Sequence, residues 1–216
     1  MPTRIGEMIE NPVTGERGVV RIPPQPSNGH LFVADLYVRP GGTPAGGEHL
    51  HPASTETFTV VRGQLQVRHG GRERQAGPGT RLQVAPGVAH NWWNAGDEEA
   101  WVVAEIQPGE RFVEAIRQVW LLAQDGKTDA KGRPKPLQAA VFSQEFADTI
   151  RFTSPPQLVQ RLLFGLLRPI ARATGHRGLD PAYLRRELPI VDLEPLPAEI
   201  ADLIPSLAAP PTSTET

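Results

Sequence analysis

The sequence predicts a mainly β protein, in which an antiparallel β-barrel is followed by a C-terminal α-helical extension. From residue 5 to about residue 108, short apolar runs alternate with Gly, Pro and Asn turns, as they do in all-β domains. After residue 108, apolar residues recur at helical spacing instead. We therefore divide the 216 residues into a barrel at 1–108, a helical extension at 109–204 and a disordered tail at 205–216 that is rich in Pro, Ser and Thr.

Seven short runs in the first half are predicted as strands. Tight turns separate them at regular intervals, which favours hairpins closed into a barrel or sandwich, and residues 5–29 can add further strands. Several runs are apolar on both faces. We expect one face to fill the barrel and the other to pack on a partner sheet or subunit. The seven runs are 18–22, 30–38, 55–61, 64–68, 80–84, 90–94 and 101–106.

Four helices are predicted in the extension, at 110–124, at 137–150, after Ser154 and at 180–187. Ser154 is the expected N-cap of the third helix, with prolines in the first turn, and Pro169 should bend or stop this helix. The third helix is rich in leucine and has few charges. We expect it to dock on the barrel or on a dimer partner, so that the protein forms a two-fold homodimer.

The charge balance excludes one large class of partner. With 22 Lys and Arg against 24 Asp and Glu, the net charge is −2, which argues against a nucleic-acid surface made by bulk positive charge. The extension also lacks a basic recognition helix, since Arg185 and Arg186 form an isolated pair. We expect a small-molecule ligand or substrate and no nucleic acid.

The N-terminal residues, the longest apolar stretch and the cysteine count give further expectations. The first ten residues contain no apolar run of signal-peptide length, so we expect a cytoplasmic protein. The apolar stretch 158–170 is interrupted by Arg161, Arg168 and Pro169 and is shorter than the roughly 20 residues of a membrane span. Because the chain has no cysteine, any bound metal must have nitrogen and oxygen ligands.

Three of the six histidines fall into one pattern with a glutamate. His49 and His51 stand two residues apart at the start of a strand, so their imidazoles project from the same face. Glu56 leads the next strand, and His90 comes from a strand about 40 residues later, just after a tight turn. Three neutral imidazoles and a carboxylate can hold one metal ion and leave coordination positions open for water and substrate.

The spacing of these residues resembles the first motif of the cupin superfamily. That motif has the form H-x-H, three or four residues, E, six residues, G. Here His49 and His51 are followed by four residues, Glu56, six residues and Gly63.

The second cupin motif is also recognisable. It has the form G, five residues, P-x-G, two residues, H, three residues, N. Here it extends from Gly79 to Gly87 and continues to His90 and Asn94. Ala85 stands where the motif has its proline, and the proline follows one position later. The resemblance covers about residues 30–108.

This resemblance implies a small single-barrel bacterial-type cupin, with a double-stranded β-helix or jelly-roll barrel and a helical extension. It implies one divalent metal ion held by His49, His51, Glu56 and His90, for which Fe, Mn or Ni are favoured and Zn, Co or Cu are alternatives. Glu56 is then the candidate catalytic residue, as an anionic ligand and an occasional base.

The expected lining of the cavity narrows the substrate class. By strand parity, Phe58, Val60 and Trp92 face the same side as the metal ligands, and they form the candidate substrate pocket. No cluster of Arg or Lys joins them, which argues against a phosphorylated or polycarboxylate substrate. An apolar pocket over an open metal suits a small substrate that chelates through oxygen, and the resemblance makes a dioxygenase-like oxidoreductase the leading hypothesis.

Two other hypotheses stay open, because cupins perform many unrelated functions. One is a non-redox metal-dependent isomerase or lyase. The other is a non-catalytic cupin that senses a small ligand, with the helical extension as its output or dimerisation element.

Overall fold

The structure is a computed structural model that describes residues 2–44 and 47–208. Its strands are β1 Met8–Asn11, β2 Glu16–Ile22, β3 Phe32–Val38, β4 His49–Leu50, β5 Thr55–Arg62, β6 Leu65–His69, β7 Arg72–Ala76, β8 Arg81–Val84, β9 His90–Asn94, β10 Ala100–Gln107 and β11 Arg151–Phe152. Its α-helices are α1 Glu110–Gln124, α2 Pro136–Glu145, α3 Gln157–Ala173, α4 Pro181–Arg185, α5 Ala198–Ala201 and α6 Pro205–Ala208.

The strands form two antiparallel sheets. A six-stranded sheet has the order β1-β2-β3-β10-β5-β8, and a five-stranded sheet has the order β11-β4-β9-β6-β7. The predicted mainly β fold with an antiparallel barrel and a C-terminal helical extension is confirmed. Sheet pairing also joins the barrel to the helical extension. Strand β11, which follows α2, is the edge strand beside β4.

The interior of the barrel and the inner side of the extension share one hydrophobic core. Phe58, Val60 and Trp92 from the barrel belong to the same buried cluster as Trp120 of α1 and Phe142 of α2. Burial of apolar surface contributes roughly 25 cal/mol per Å², so this shared core stabilises the barrel and the extension together.

The outer face of the six-stranded sheet is covered by the end of the same chain. Val33, Trp101 and Val103 on this face pack against Ile200 and Ile204. The expectation that a partner sheet or subunit covers this face is therefore wrong. The reason is that a proline-rich segment at 189–197, followed by two short helices, returns across the sheet and supplies the apolar cover itself.

Polar contacts hold this returning segment in place. Asp35 is fully buried on the outer face, where its Oδ1 accepts hydrogen bonds from Arg21 Nε at 2.7 Å and from Trp101 Nε1 at 2.8 Å. Arg21 Nη2 then donates to the backbone oxygen of Glu194 at 2.6 Å. The buried ion pair thus connects the sheet to the segment that covers it.

Helix boundaries in the extension differ from the prediction at several points. Helix α2 ends at Glu145 rather than at residue 150, because the chain turns there before β11, and α4 ends at Arg185 rather than at residue 187. Pro169 does not stop α3, which continues to Ala173. The N-cap of α3 is Pro156 rather than Ser154, and no side chain caps this end. The predicted disordered tail begins with the helix α6 at Pro205–Ala208, while 209–216 lie outside the described residues. None of the helices within the described part of the chain has the length and apolar character needed to cross a membrane.

Candidate metal centre

The structure brings the four predicted ligands together inside the barrel. His49 lies in β4, His51 directly after it, Glu56 in β5 and His90 in β9, and all four are at most 5% exposed. The candidate ligand atoms lie within 4.8 Å of one another. Ligand atoms at about 2.1 Å from one ion are at most about 4.2 Å apart, so small side-chain shifts are enough to bind a metal.

Backbone pairing explains why these side chains meet. His49 and His90 are directly opposite each other in the β4–β9 pair, which places their rings on one face with centroids 4.4 Å apart. The turn before β9 is fixed to the site by Gly87, which has a φ of 78° and donates its N–H to the oxygen of His51 at 2.8 Å. A positive φ of this kind favours glycine, which explains this position of the second motif.

Asn94, at the end of the second motif, has a structural role. Its Nδ2 donates to the backbone oxygens of Val38 and Glu98, both at 2.7 Å, and its Oδ1 accepts from the N–H of Gly96 at 2.9 Å. Asn94 therefore holds the turn after β9 and does not line the cavity described below.

All three imidazoles are oriented by backbone carbonyls. A carbonyl only accepts hydrogen bonds, so each Nδ1 carries the proton, and each neutral ring keeps its Nε2 free for a metal. Nε2 of His51, Nε2 of His90 and Oε2 of Glu56 are buried and face one another, with Oε2 of Glu56 3.3 Å from Nε2 of His51 and 2.6 Å from Nε2 of His90. These atoms fit a divalent metal ion. The carbonyl partners are Gly47 for His49 at 2.9 Å, Thr149 for His51 at 2.9 Å and Val88 for His90 at 3.1 Å.

The charges at the site favour the forms that bind a metal. Burial, with the neighbouring His90 and His51, lowers the pKa of His49 to about 3. Burial raises the pKa of Glu56, but His51 and His90 outweigh it and hold this pKa well below the usual range. Burial lowers the pKa of His90, and its hydrogen bond with Glu56, at 2.6 Å, more than offsets this effect and raises it. The site therefore offers an ionised carboxylate and a neutral His49, and a metal would displace the proton shared by His90 and Glu56.

The helical extension completes the surroundings of the ligands. Strand β11 pairs with β4, so that Phe152 is opposite His49, and the two rings are 6.4 Å apart. Thr153 then donates from its N–H to the backbone oxygen of Glu48 at 3.1 Å and from Oγ1 to Oε2 of Glu48 at 2.8 Å. Glu48, next to the first ligand, thus anchors the extension.

A cavity of about 110 Å³ lies beside the ligands, between the six-stranded sheet and the extension. His49 and Glu56 form part of its wall, together with the predicted pocket residues Phe58 and Trp92. Val60 was also predicted to line this space, but it belongs to the buried core and is not among the residues that line the cavity. The described lining residues include no lysine or arginine.

Sequence reasoning missed the wall that the extension contributes. Side chains of α1, α2 and the β11 region close the cavity opposite the sheet. Their helical spacing was recognisable, but the spacing does not say which surface a helix covers. The missed residues are Phe112, Ala115, Ile116, Val119, Trp120, Phe142, Ile150 and Phe152.

Comparison with known proteins agrees with this geometry. Residues 36–106 match the family model described as the cupin domain. The chain carries a cupin domain. All four candidate ligands of this cupin domain fall within the matched segment. No match was found among curated protein sequences.

Solved structures similar to this chain include three bacterial proteins. A predicted oxalate decarboxylase from Thermotoga maritima is 19% identical, with a TM-score of 0.42, and the match covers 50% of this chain and 98% of that one. An uncharacterized conserved protein with a double-stranded beta-helix domain from Klebsiella pneumoniae is 24% identical, with a TM-score of 0.38 and coverages of 50% and 79%. KdgF from Halomonas sp. is 20% identical, with a TM-score of 0.38 and coverages of 44% and 79%.

Proposed function

We propose that this protein is a metal-dependent oxidoreductase of the dioxygenase type, acting on a small and largely apolar substrate that binds the metal through oxygen. His49, His51, Glu56 and His90 hold one divalent metal ion in this proposal, with Fe, Mn or Ni favoured. When bound, the metal supplies Lewis-acid and one-electron chemistry at positions that the four side chains leave open.

One observation carries the proposal, namely that the described lining of the cavity beside the ligands is largely apolar and includes no lysine or arginine. A carboxylate or phosphate group on a substrate usually needs a guanidinium or ammonium partner, so such substrates are disfavoured. The volume of about 110 Å³ also limits the size of the substrate. An engineered apolar cavity of about 150 Å³ holds benzene, which indicates molecules of about one small ring or less.

Residues around the cavity and the metal site have three further roles in this proposal: substrate contact, exclusion of water and neutralisation of charge. Phe58 and Trp92 contact the apolar part of the substrate, and Phe112 closes the opposite side and excludes water. Glu56 is ionised and buried beside two imidazoles, so it neutralises positive charge at the metal. As substrate binds, the same carboxylate can accept a proton from an enol or catechol hydroxyl.

Oxygen uptake on defined metal forms tests the proposal. The protein, purified without a histidine tag, is analysed for its metal and then assayed with a panel of diketones and catechols. We expect oxygen consumption that the His49→Ala/His51→Ala variant lacks. We also expect Ala104→Leu to lower turnover without changing metal content, because Ala104 lines the cavity. Ala198→Leu should have no effect, because Ala198 is exposed at the start of α5.

Two outcomes would contradict the dioxygenase hypothesis and support another function. Turnover without oxygen uptake would indicate an isomerase or lyase. Saturable binding of a panel compound, with no turnover on any metal form, would indicate a ligand-sensing cupin.

A further inference from the structure

Helix α3 carries an exposed apolar strip that no other described part of the chain covers. Its members are between 43% and 75% exposed, in contrast to the buried apolar residues of α1. Contiguous exposed apolar surface of this kind marks an interaction site. The apolar strip consists of Leu158, Val159, Leu162, Leu163, Leu166 and Ile170.

The rest of α3 is divided into two further strips. At roughly 100° per residue, the apolar strip covers an arc of about 140°, while Gln160 and Ala171, on another side, are buried where α3 packs on α2. Arg161, Arg168 and Arg172 fall within an arc of about 40° between these two sides. The arginines therefore lie where the body of the protein meets the apolar strip.

The charge of this region is one-sided. Between residues 149 and 179 the chain has five arginines and no acidic residue, although its net charge is −2. The hydrogen bonds recorded for these arginines go to neutral acceptors. Arg151 donates to the oxygen of Ala147 and Arg172 to Oε1 of Gln144. Within the described residues, none of the five forms an ion pair, so their charge is available to an anionic partner.

Three of these arginines converge on one cavity. Arg151, Arg161 and Arg168 line a space of about 290 Å³ between α2, β11 and α3. The other polar side chains of its described lining are Gln and Ser, without any carboxylate. Guanidinium groups bind phosphate oxygens through paired N–H donors, so this space suits a phosphate group.

We propose that α3 docks the protein on a membrane surface rich in anionic phospholipids, lying in the plane of the interface. The apolar strip enters the boundary of the acyl chains, and the neighbouring arginines bind lipid phosphates. Charge complementarity favours this partner over a second copy of the chain. A dimer through α3 would bring two sets of unpaired arginines together without any acidic residue to neutralise them. The proposal is independent of the reaction at the metal centre.

Vesicle flotation of the full chain tests the proposal. We expect binding to vesicles that contain about a third phosphatidylglycerol and much weaker binding to pure phosphatidylcholine vesicles. Leu162→Gln/Leu166→Gln should weaken binding at least about tenfold, because two exposed leucines no longer enter the acyl boundary. Arg161→Gln/Arg168→Gln should weaken binding to anionic vesicles by about fivefold per arginine removed.

Two matched variants control for general effects. Ile5→Gln removes an apolar side chain that is 59% exposed, and Arg74→Gln removes an exposed arginine of β7, in both cases away from α3. Both should bind vesicles like the wild type, and circular dichroism should show that all variants are folded. Absence of binding to anionic vesicles, or an equal loss in the control variants, would overturn the proposal. So would light scattering that shows a dimer which Leu162→Gln/Leu166→Gln dissociates, together with no vesicle binding.

Discussion

The backbone oxygen of Thr149 accepts a 2.9 Å hydrogen bond from Nδ1 of His51, although 98 residues separate the two. His51 belongs to the cupin domain, whereas Thr149 follows α2 in the helical extension. This bond fixes the proton on Nδ1 and directs Nε2 of a candidate metal ligand into the site. The extension therefore contributes to the candidate metal centre as well as covering the barrel.

Removal of the extension should abolish both solubility and metal binding. A chain that ends at Gln107 loses the Thr149 carbonyl, strand β11 and the helices that cover the core, and this exposes apolar surface at roughly 25 cal/mol per Å² of lost burial. We expect aggregation, measured by light scattering. If the fragment 1–107 stays soluble, keeps its metal and melts at the wild-type temperature, the extension is a separate module and the ligand-sensing hypothesis gains over the oxygenase.

Loss of two ligands should remove the metal and leave the fold. We expect His49→Ala/His51→Ala to retain less than about a tenth of the wild-type metal, measured by plasma mass spectrometry, with an unchanged β-sheet circular dichroism spectrum. His176→Ala serves as the control, because this histidine lies outside the cluster and bonds to Thr174. A full equivalent of metal in the double variant would show that these residues are not ligands.

The cover on the outer face of the sheet can be tested with adjacent residues. Ile204 is fully buried, whereas Leu203 is 37% exposed. Ile204→Ala should lower the free energy of unfolding by about 2–5 kcal/mol, and Leu203→Ala should change it by about 0.5 kcal/mol or less. Urea unfolding measures both. Similar values for the two variants would mean that the segment does not pack on the sheet in solution.

The buried Asp35 should give stability a specific pH dependence. Burial raises the pKa of Asp35 above its usual value, and Arg21 offsets this only in part. Between the usual and the raised pKa, the unfolded chain binds fewer protons than the folded chain, so the contribution of Asp35 to stability falls as the pH rises. Asp35→Asn does not titrate. We expect the Tm of the wild type relative to Asp35→Asn to fall as the pH rises from about 4, near the usual pKa. A constant difference would contradict this.

Most of the candidate metal centre was predictable from sequence because its four side chains lie in two short motifs with recognisable spacing. His49 and His51 share a face through the two-residue period of a strand, and Gly87 requires a positive φ before His90. The Thr149 contact was not predictable, because a backbone oxygen is available in every residue and leaves no signature in the sequence.

The strands likewise divide into those that the sequence predicted and those that it did not. Strand β9 was predicted at its observed bounds, since turn residues flank its apolar positions. Strand β7, Arg72–Ala76, was missed because it is an edge strand, paired only with β6, and its first four residues are exposed and polar. The cover at Val191 and Ile204 was missed because a proline-rich extended segment has no long periodic pattern.

Because Thr149 follows all four candidate ligands in the chain, the surroundings of the site are completed only late in synthesis. All four ligand side chains have been made once His90 is added, but β11 ends at Phe152, some sixty residues later. A nascent chain that has released only the barrel from the ribosome therefore has His51 without its carbonyl partner and β4 without its neighbouring strand. The affinity of the site for a metal is consequently expected to rise once translation has passed β11, when His51 gains its carbonyl partner.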